Sequence, residues 1–215
     1  MIITISRQFA AGGAEVARRV ADALDWRFVD NELIDRVAAR SGLPPEAVAQ
    51  REERAPGFIE RLIRALARSV PELFPKASET VPEPEEAALV RVTESVVAEL
   101  AAEGRVVLVG RAGPAVLRGG ASHDALHVKL VAATPIRLAA AMARLGLDRK
   151  EAEKVLQQTD ANRSRYLKQH YGRDWEDPAY YDLLLNTGSL GLDGAAEIIV
   201  GCARRRWRVS GKPER

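Results

Sequence analysis

The chain has 215 residues, 47% of them hydrophobic, with 32 Lys and Arg set against 30 Asp and Glu. That length buries a real core without disulfide or metal staples, and that hydrophobic content excludes a wholly disordered chain. A net charge of +2 excludes a strongly basic nucleic-acid-binding domain, and a single cysteine, Cys202, excludes an internal disulfide. Arginine supplies 26 of the basic residues and lysine 6. A genome rich in G and C accounts for much of that bias, but not for where the arginines sit; guanidinium suits bidentate work on phosphate. The apolar opening ends at Arg7, too early for a secretory signal, and no apolar stretch reaches the ~18 residues of a membrane span. The expectation is a cytoplasmic protein with no membrane contact and no specific nucleic-acid partner.

Residues 2–6 are short, β-branched and apolar on both faces, which predicts a buried parallel strand. A loop closed by Gly12-Gly13 follows. Val16, Ala17, Val20, Ala21 and Leu24 then recur at helical spacing. Residues 27–29 predict a second strand ending at Asp30, and Asn31 stands ready to cap a helix to residue 41. Residues 44–84 hold seven of the eleven prolines, with one amphipathic helix at 58–70 that could pair between subunits of a homodimer. A long helix is expected at 85–103, a strand at 105–109 running into Gly110-Arg111, and a strand at 125–131. Thr134-Pro135 then places a cap and a first-turn proline before a helix to residue 145. Residues 146–177 are polar and helical at first, 183–185 read as a fifth strand, and 192–202 as a final helix. Residues 204–215 read as a basic tail, six bases against one acid.

Strands alternating with helices predict an α/β fold, a parallel sheet covered on both faces. Polar inserts near 31–84 and 146–177 interrupt it. The division expected is one domain over 1–203, with core 1–30, 85–145 and 178–203, and the tail beyond it.

The first turn, Ser6 to Glu15, joins a strand to a helix N-terminus, where backbone N–H groups and the helix dipole face an anion. A P-loop has Gly, four residues, then Gly-Lys-Ser/Thr. Gly12 fits the second glycine, Gly13 stands where the Lys belongs, and Glu15 lies near the hydroxyl position. Another cation must then supply the charge, and Arg7 is the nearest. Arg111 follows a strand of four apolar residues, and ligands of open parallel sheets sit at the carboxyl ends of strands. Asp160, Arg163 and Arg165 lie on one expected helix, where Asp160 and Arg163 can pair at the surface. Arg137 reads as a helix-surface arginine, Trp175 as core packing, and Asp177 as a cap. His123, His127 and His170 are scattered, with no metal or triad case.

Ile5-Ser6-Arg7-Gln8-Phe9 with Gly12-Gly13, then Phe28 to Ile34, Val107 to Arg111, Thr159 to Tyr166, and Asp174 to Pro178 with Tyr181 to Thr187 stand in one order over residues 2–200. In that order they resemble the cytidylate kinase-like proteins, whose P-loop lacks the usual Lys. The resemblance implies a P-loop-kinase-like three-layer α/β/α fold with a five-stranded parallel sheet, a monophosphate-binding helical insert (31–84) and a lid (146–177). It implies ATP and Mg²⁺ as cofactors and CMP or dCMP as acceptor. Ala10, Ala11, Gly12, Gly13, Ala14 and Glu15 would bind the donor phosphates, Asp30, Arg36 and Arg111 the acceptor, and Arg7, Arg163 and Arg165 would be catalytic. Relatives often carry Gly-Ser where this chain has Ala10-Ala11, and Gly-Arg-Asp where it has Gly110-Arg111-Ala112. Two other readings stand beside the kinase: a non-catalytic nucleotide-binding regulator, motivated by the missing Lys, and a kinase of another small metabolite.

Overall fold

The computed structural model describes residues 1–30, 83–118 and 124–208. The expected helices at 31–41 and 58–70, Arg36 and His123 lie outside the described residues. β1 (Ile2–Arg7), β2 (Arg27–Val29), β3 (Val106–Val109), β4 (Ala125–Val131) and β5 (Leu183–Asn186) form one sheet in the order β2-β3-β1-β4-β5. Every neighbouring pair is parallel, with Ile5 of β1 level with Val109 of β3 and with Val128 of β4. The expected parallel sheet is the one observed.

Side chains alternate across the strands, so each face of the sheet acquires its own core. Ile3, Ile5, Val107 and Val109 face α1 (Gly13–Leu24), which sets Val16, Ala17, Val20 and Ala21 against them. Ile2, Val106 and Leu108 face the opposite way, onto Val96, Val97 and Leu100 of α2 (Glu83–Glu103) and Leu117 of α3 (Gly113–Arg118). A smaller cluster joins Leu138 and Ala141 of α4 (Thr134–Leu145) to Ala152 and Leu156 of α5 (Arg149–Tyr171), with Phe9 and Ala10 packed against it. None of the described helices is long and apolar enough to cross a membrane.

Three local readings change. The cap before α4 is Ala133, with no side-chain bond, and Thr134-Pro135 already lie inside the helix. α3 had no sequence expectation. The last helix, α6 (Thr187–Trp207), is longer at both ends than 192–202, with a kink at Gly191, and absorbs the start of the expected tail. Trp207 sits 5.2 Å from Trp26 between ring centres, Arg204 donates to the Ala23 carbonyl, and Arg206 pairs with Asp124. The arginine run expected in the basic tail is therefore helical through Trp207, with Arg205, Arg206 and Arg208 exposed. Asp177 does cap the turn Pro178–Tyr180, accepting from the Ala179 N–H at 2.9 Å.

His127 is buried in β4 and shares a 2.7 Å hydrogen bond with Thr4 Oγ1 across the strand pair. Burial pulls its pKa from 6.5 down to about 4; Asp182 opposes the shift, and Arg118, Arg206 and Arg173 add to it. The unfolded chain takes up this proton below the ordinary value, and the folded chain only near pH 4. The stabilisation is complete above pH ~6.5 and is lost as pH falls toward 4, by roughly 3 kcal/mol. Urea unfolding at pH ~7 and ~4.5 should show the wild type losing about 2–3 kcal/mol more than His127→Asn. Equal losses would assign the acid sensitivity to other groups.

Candidate nucleotide-binding site

The carboxyl ends of β1 and β3 open into a cavity of about 300 Å³. Arg7, Ala10, Gly12, Gly13, Ala14, Glu15, Asp30, Arg111 and Arg163, nine of the expected site residues, line it together. Two do not. Ala11 is buried beneath the loop, where its carbonyl accepts from Thr187 Oγ1 at 3.0 Å. Arg165 is exposed on the outer face of α5 and donates to Asn162 Oδ1, so its expected catalytic role is not supported by its position.

The loop ends on Gly12, which takes φ +75° as the N-cap of α1 and offers no side-chain cap. The first helical bond runs from the Val16 N–H to the Gly12 carbonyl. The amides of Gly13, Ala14 and Glu15 therefore have no acceptor within the helix, and they line the cavity with the positive end of the helix dipole behind them. That is an anion-binding arrangement of backbone alone. Around it stand five arginines (Arg7, Arg111, Arg144, Arg163 and Arg173) and three carboxylates (Glu15, Asp30 and Asp174), a surplus of two positive charges.

Backbone strain gathers at the same rim. Among the described residues six other than glycine have positive φ. Asp25 and Arg208 cap helices and Arg105 follows the end of α2, which are ordinary places for it. The other three, Ala10 (+60°), Arg111 (+58°) and Ala112 (+51°), line the cavity. Ala10 adopts the conformation that glycine takes freely. Arg111 and Ala112 follow Gly110 at φ +78°, so three left-handed residues in succession turn the chain sharply after β3. Such residues cost about 1–3 kcal/mol each and collect at functional sites.

Sequence reasoning gave no role to three cations, Arg144 at the cavity rim, Arg173 and Lys129. Arg173 follows Gly172, the left-handed cap of α5, stacks on Tyr180 at 4.9 Å and donates to the Pro114 carbonyl at 3.2 Å. Lys129 is fully buried in the middle of β4. Its ammonium donates to the Trp175 carbonyl (2.7 Å) and Glu176 Oε2 (2.8 Å) and lies 4.3 Å from the Trp175 ring centre. Trp175 is buried, as expected, but its Nε1 also donates to Ser6 Oγ, which lines the cavity. Burial lifts Tyr181 to about pKa 12, against a lowering by Ser6, so its hydroxyl stays protonated and donates to the Trp175 carbonyl. A lysine within an apolar strand, in a chain with six, was the available signal for Lys129.

Arg137 is not a surface arginine. It is 8% exposed, and its guanidinium donates to the carbonyls of Ala132 and Phe9 and, at 2.6 Å, to Asp160 Oδ2. The other oxygen of Asp160 accepts from the Phe9 N–H at 2.8 Å, with Arg163 3.6 Å away. Arg163 in turn donates to the Arg7 carbonyl at 3.1 Å. One carboxylate thus ties α5 to α4 and to the phosphate loop. Replacing Asp160 by Ala strands two mostly buried guanidinium groups and a loop amide, at a cost of about 3–5 kcal/mol. Asp160→Asn keeps an acceptor for Phe9 and should lose less, and ATP affinity should fall with loop order in both. Urea unfolding and calorimetry check this; an Ala variant as stable as wild type would show that the carboxylate does not hold the loop.

Residues 2–189 match the cytidylate kinase-like family. No curated protein matches the sequence. An uncharacterized protein from Eubacterium ventriosum is similar in structure at a TM-score of 0.66 and 19% identity, over 94% of this chain and 97% of that one. The shikimate kinase of Bacteroides thetaiotaomicron is similar at 0.50 and 11%, over 95% and 98%. A sugar kinase from a Janibacter species is similar at 0.50 and 13%, over 97% and 95%. At such identities the structural likenesses speak for the fold, which is that of the P-loop kinases. With the family's match running through β1, the glycine turn, the strained turn after β3 and α5, the chain belongs to the cytidylate kinase-like family.

Proposed function

We propose that the chain transfers the γ-phosphoryl group of MgATP to a nucleoside monophosphate, CMP or dCMP. Membership of the cytidylate kinase-like family supports a kinase-type phosphotransferase. The observation that carries the reading is that Arg7, Arg111 and Arg163 line one cavity with Gly13, Ala14 and Glu15, the residues that open α1. A phosphate oxygen of the acceptor attacks the γ-phosphorus in line, the bond to the β-phosphate oxygen breaks, and ADP leaves with that electron pair. Little covalent chemistry is asked of the protein, which must align the two nucleotides and neutralise charge spreading over the moving group.

The loop amides and Arg7 hold the donor phosphates. Asp30 and Arg111, at the ends of β2 and β3, face the acceptor, with Arg36 as a further acceptor contact from the 31–84 insert. Arg163, carried by α5 within the 146–177 lid, lies over the transferred group. Mg²⁺ arrives as part of the ATP complex. Ala14 and Glu15 offer no loop hydroxyl to it, so phosphates and water hold it. Use of ATP and a monophosphate fits the cytoplasm.

A second reading, a nucleotide-binding regulator, is favoured by Gly13 at the Lys position. A third, a kinase of another small metabolite, is favoured by Ala112, where relatives carry the Asp of Gly-Arg-Asp. Coupled ADP release over a panel of nucleoside monophosphates, shikimate and sugars separates the three. The expected outcome is turnover with CMP or dCMP, with Arg163→Ala lowering kcat by ~10²–10³. ATP binding without ADP release from any acceptor would establish the regulator, and turnover confined to shikimate or a sugar the third reading.

A further inference from the structure

We propose that the donor-site cation and a glycine have exchanged places within the phosphate loop. Arg7 takes the work of the P-loop lysine from the other end of the loop, and Gly13 and Gly110 are positioning residues that hold it there. This rests on the nucleotide-binding reading above.

The pattern of a P-loop is Gly, four residues, Gly, Lys. With Gly12 as its second glycine, the first glycine falls at Arg7 and the lysine at Gly13. Both departures are therefore one reciprocal exchange. A Cβ built on Gly13 would lie 2.6 Å from Arg7 Cγ, 3.0 Å from Cβ and 3.3 Å from Cδ. A Cβ built on Gly110 would overlap Arg7 Nη1 and lie 3.2 Å from Cζ. The arginine stem thus crosses Gly13 and its guanidinium rests on Gly110, bridging the N-terminus of α1 and the carboxyl end of β3.

Backbone conformation does not explain Gly13. It opens α1 with no positive φ, in a position where alanine would favour the helix more. What requires glycine is the passing side chain. The clash is with the root of that side chain: Cγ moves aside only by changing χ1, and Cβ only by moving the backbone. A lysine at 13 and the observed Arg7 therefore exclude each other. Gly110 serves twice, since it also carries φ +78° in the strained turn.

The exchange places a planar, five-donor fork between the donor loop and Arg111, where a lysine would place a point charge. Arg7 can then meet donor and acceptor oxygens together, from the line between the two strand ends.

The test compares wild type with Arg7→Gly, Gly13→Lys, the double variant and Gly13→Ala. MgATP binding is read by calorimetry, turnover by ADP release, and folding by thermal melting. Each of the first two single changes should lower kcat/KM by ~10² or more. The double variant should regain at least tenfold over the better single, because it restores the P-loop order. Gly13→Ala should bind MgATP about tenfold more weakly than wild type, whereas the same change in an Arg7→Gly background, where no side chain passes, should not lower the melting temperature, a dependence on residue 7 that a purely structural glycine would not show. A Gly13→Ala chain with wild-type affinity, or a double variant worse than both singles, would overturn the exchange. A wild type that binds MgATP but transfers nothing defeats the kinase reading alone and leaves the affinities to decide the exchange. A wild type that binds no MgATP defeats both.

Discussion

β1 is hydrogen-bonded along both edges, to β3 and to β4, and buried on both faces. A strand held in this way has one free direction, out of its carboxyl end, and the chain must turn there to cover the sheet with α1. The turn is forced into the crevice beside the end of β3, where the start of α1 meets Val109 and Gly110. The site is thus a consequence of sheet order. Residues that reach it from far along the chain, such as Arg111 after β3, Arg163 on α5 and Trp175 beyond it, do so because β1 fixes where the opening lies.

That opening concentrates positive charge, and the protein restrains the cations it does not aim at the cavity. Arg137 is held by Asp160 and two carbonyls. Lys129 is fastened between the Trp175 carbonyl, Glu176 and an aromatic ring. Each restraint also shapes the cavity wall, since Asp160 holds the Phe9 amide and Lys129 sets the turn whose Trp175 reaches Ser6. Burying such pairs contributes little net stability; removing one partner is what costs. Their use here is geometric, fixing wall and loop relative to the strand ends.

Local periodicity carried most of the fold. The short apolar runs at 2–6, 106–109 and 125–131 are strands because nothing else buries both faces, and the 3.6-residue spacing of Val16, Val20 and Leu24 is a helix for the same reason. The loop amides were legible as strand, glycines and helix in succession. What escaped were contacts whose partners lie far apart in sequence. Asp160 was expected to pair at the surface with Arg163 three residues away; the pair forms at 3.6 Å, but it is mostly buried and Phe9 and Arg137 are nearer partners. The segment after Cys202 read as a tail because the residue its Trp207 packs on, Trp26, stands at the other end of the chain. A left-handed run at Gly110-Arg111-Ala112 has no sequence signal beyond its glycine, since arginine and alanine rarely adopt it.

The strain at Ala10, Arg111 and Ala112 bears on how the site binds. Glycine at these positions would relieve it, yet would also let loop and turn sample many conformations, each to be given up when phosphate arrives. Alanine and arginine have few alternatives once their neighbours fix the chain. Around Ala10 those neighbours are the Phe9 amide on Asp160 and the Ala11 carbonyl on Thr187. Around Arg111 they are the Gly113 N–H on the Gly110 carbonyl and the Ala115 N–H on that of Ala112. The cost then falls on the free protein's stability, about 1–3 kcal/mol per residue, and not on binding. A loop without lysine, which must place its charge by arginine and backbone alone, gains most from amides already standing where the anion will be.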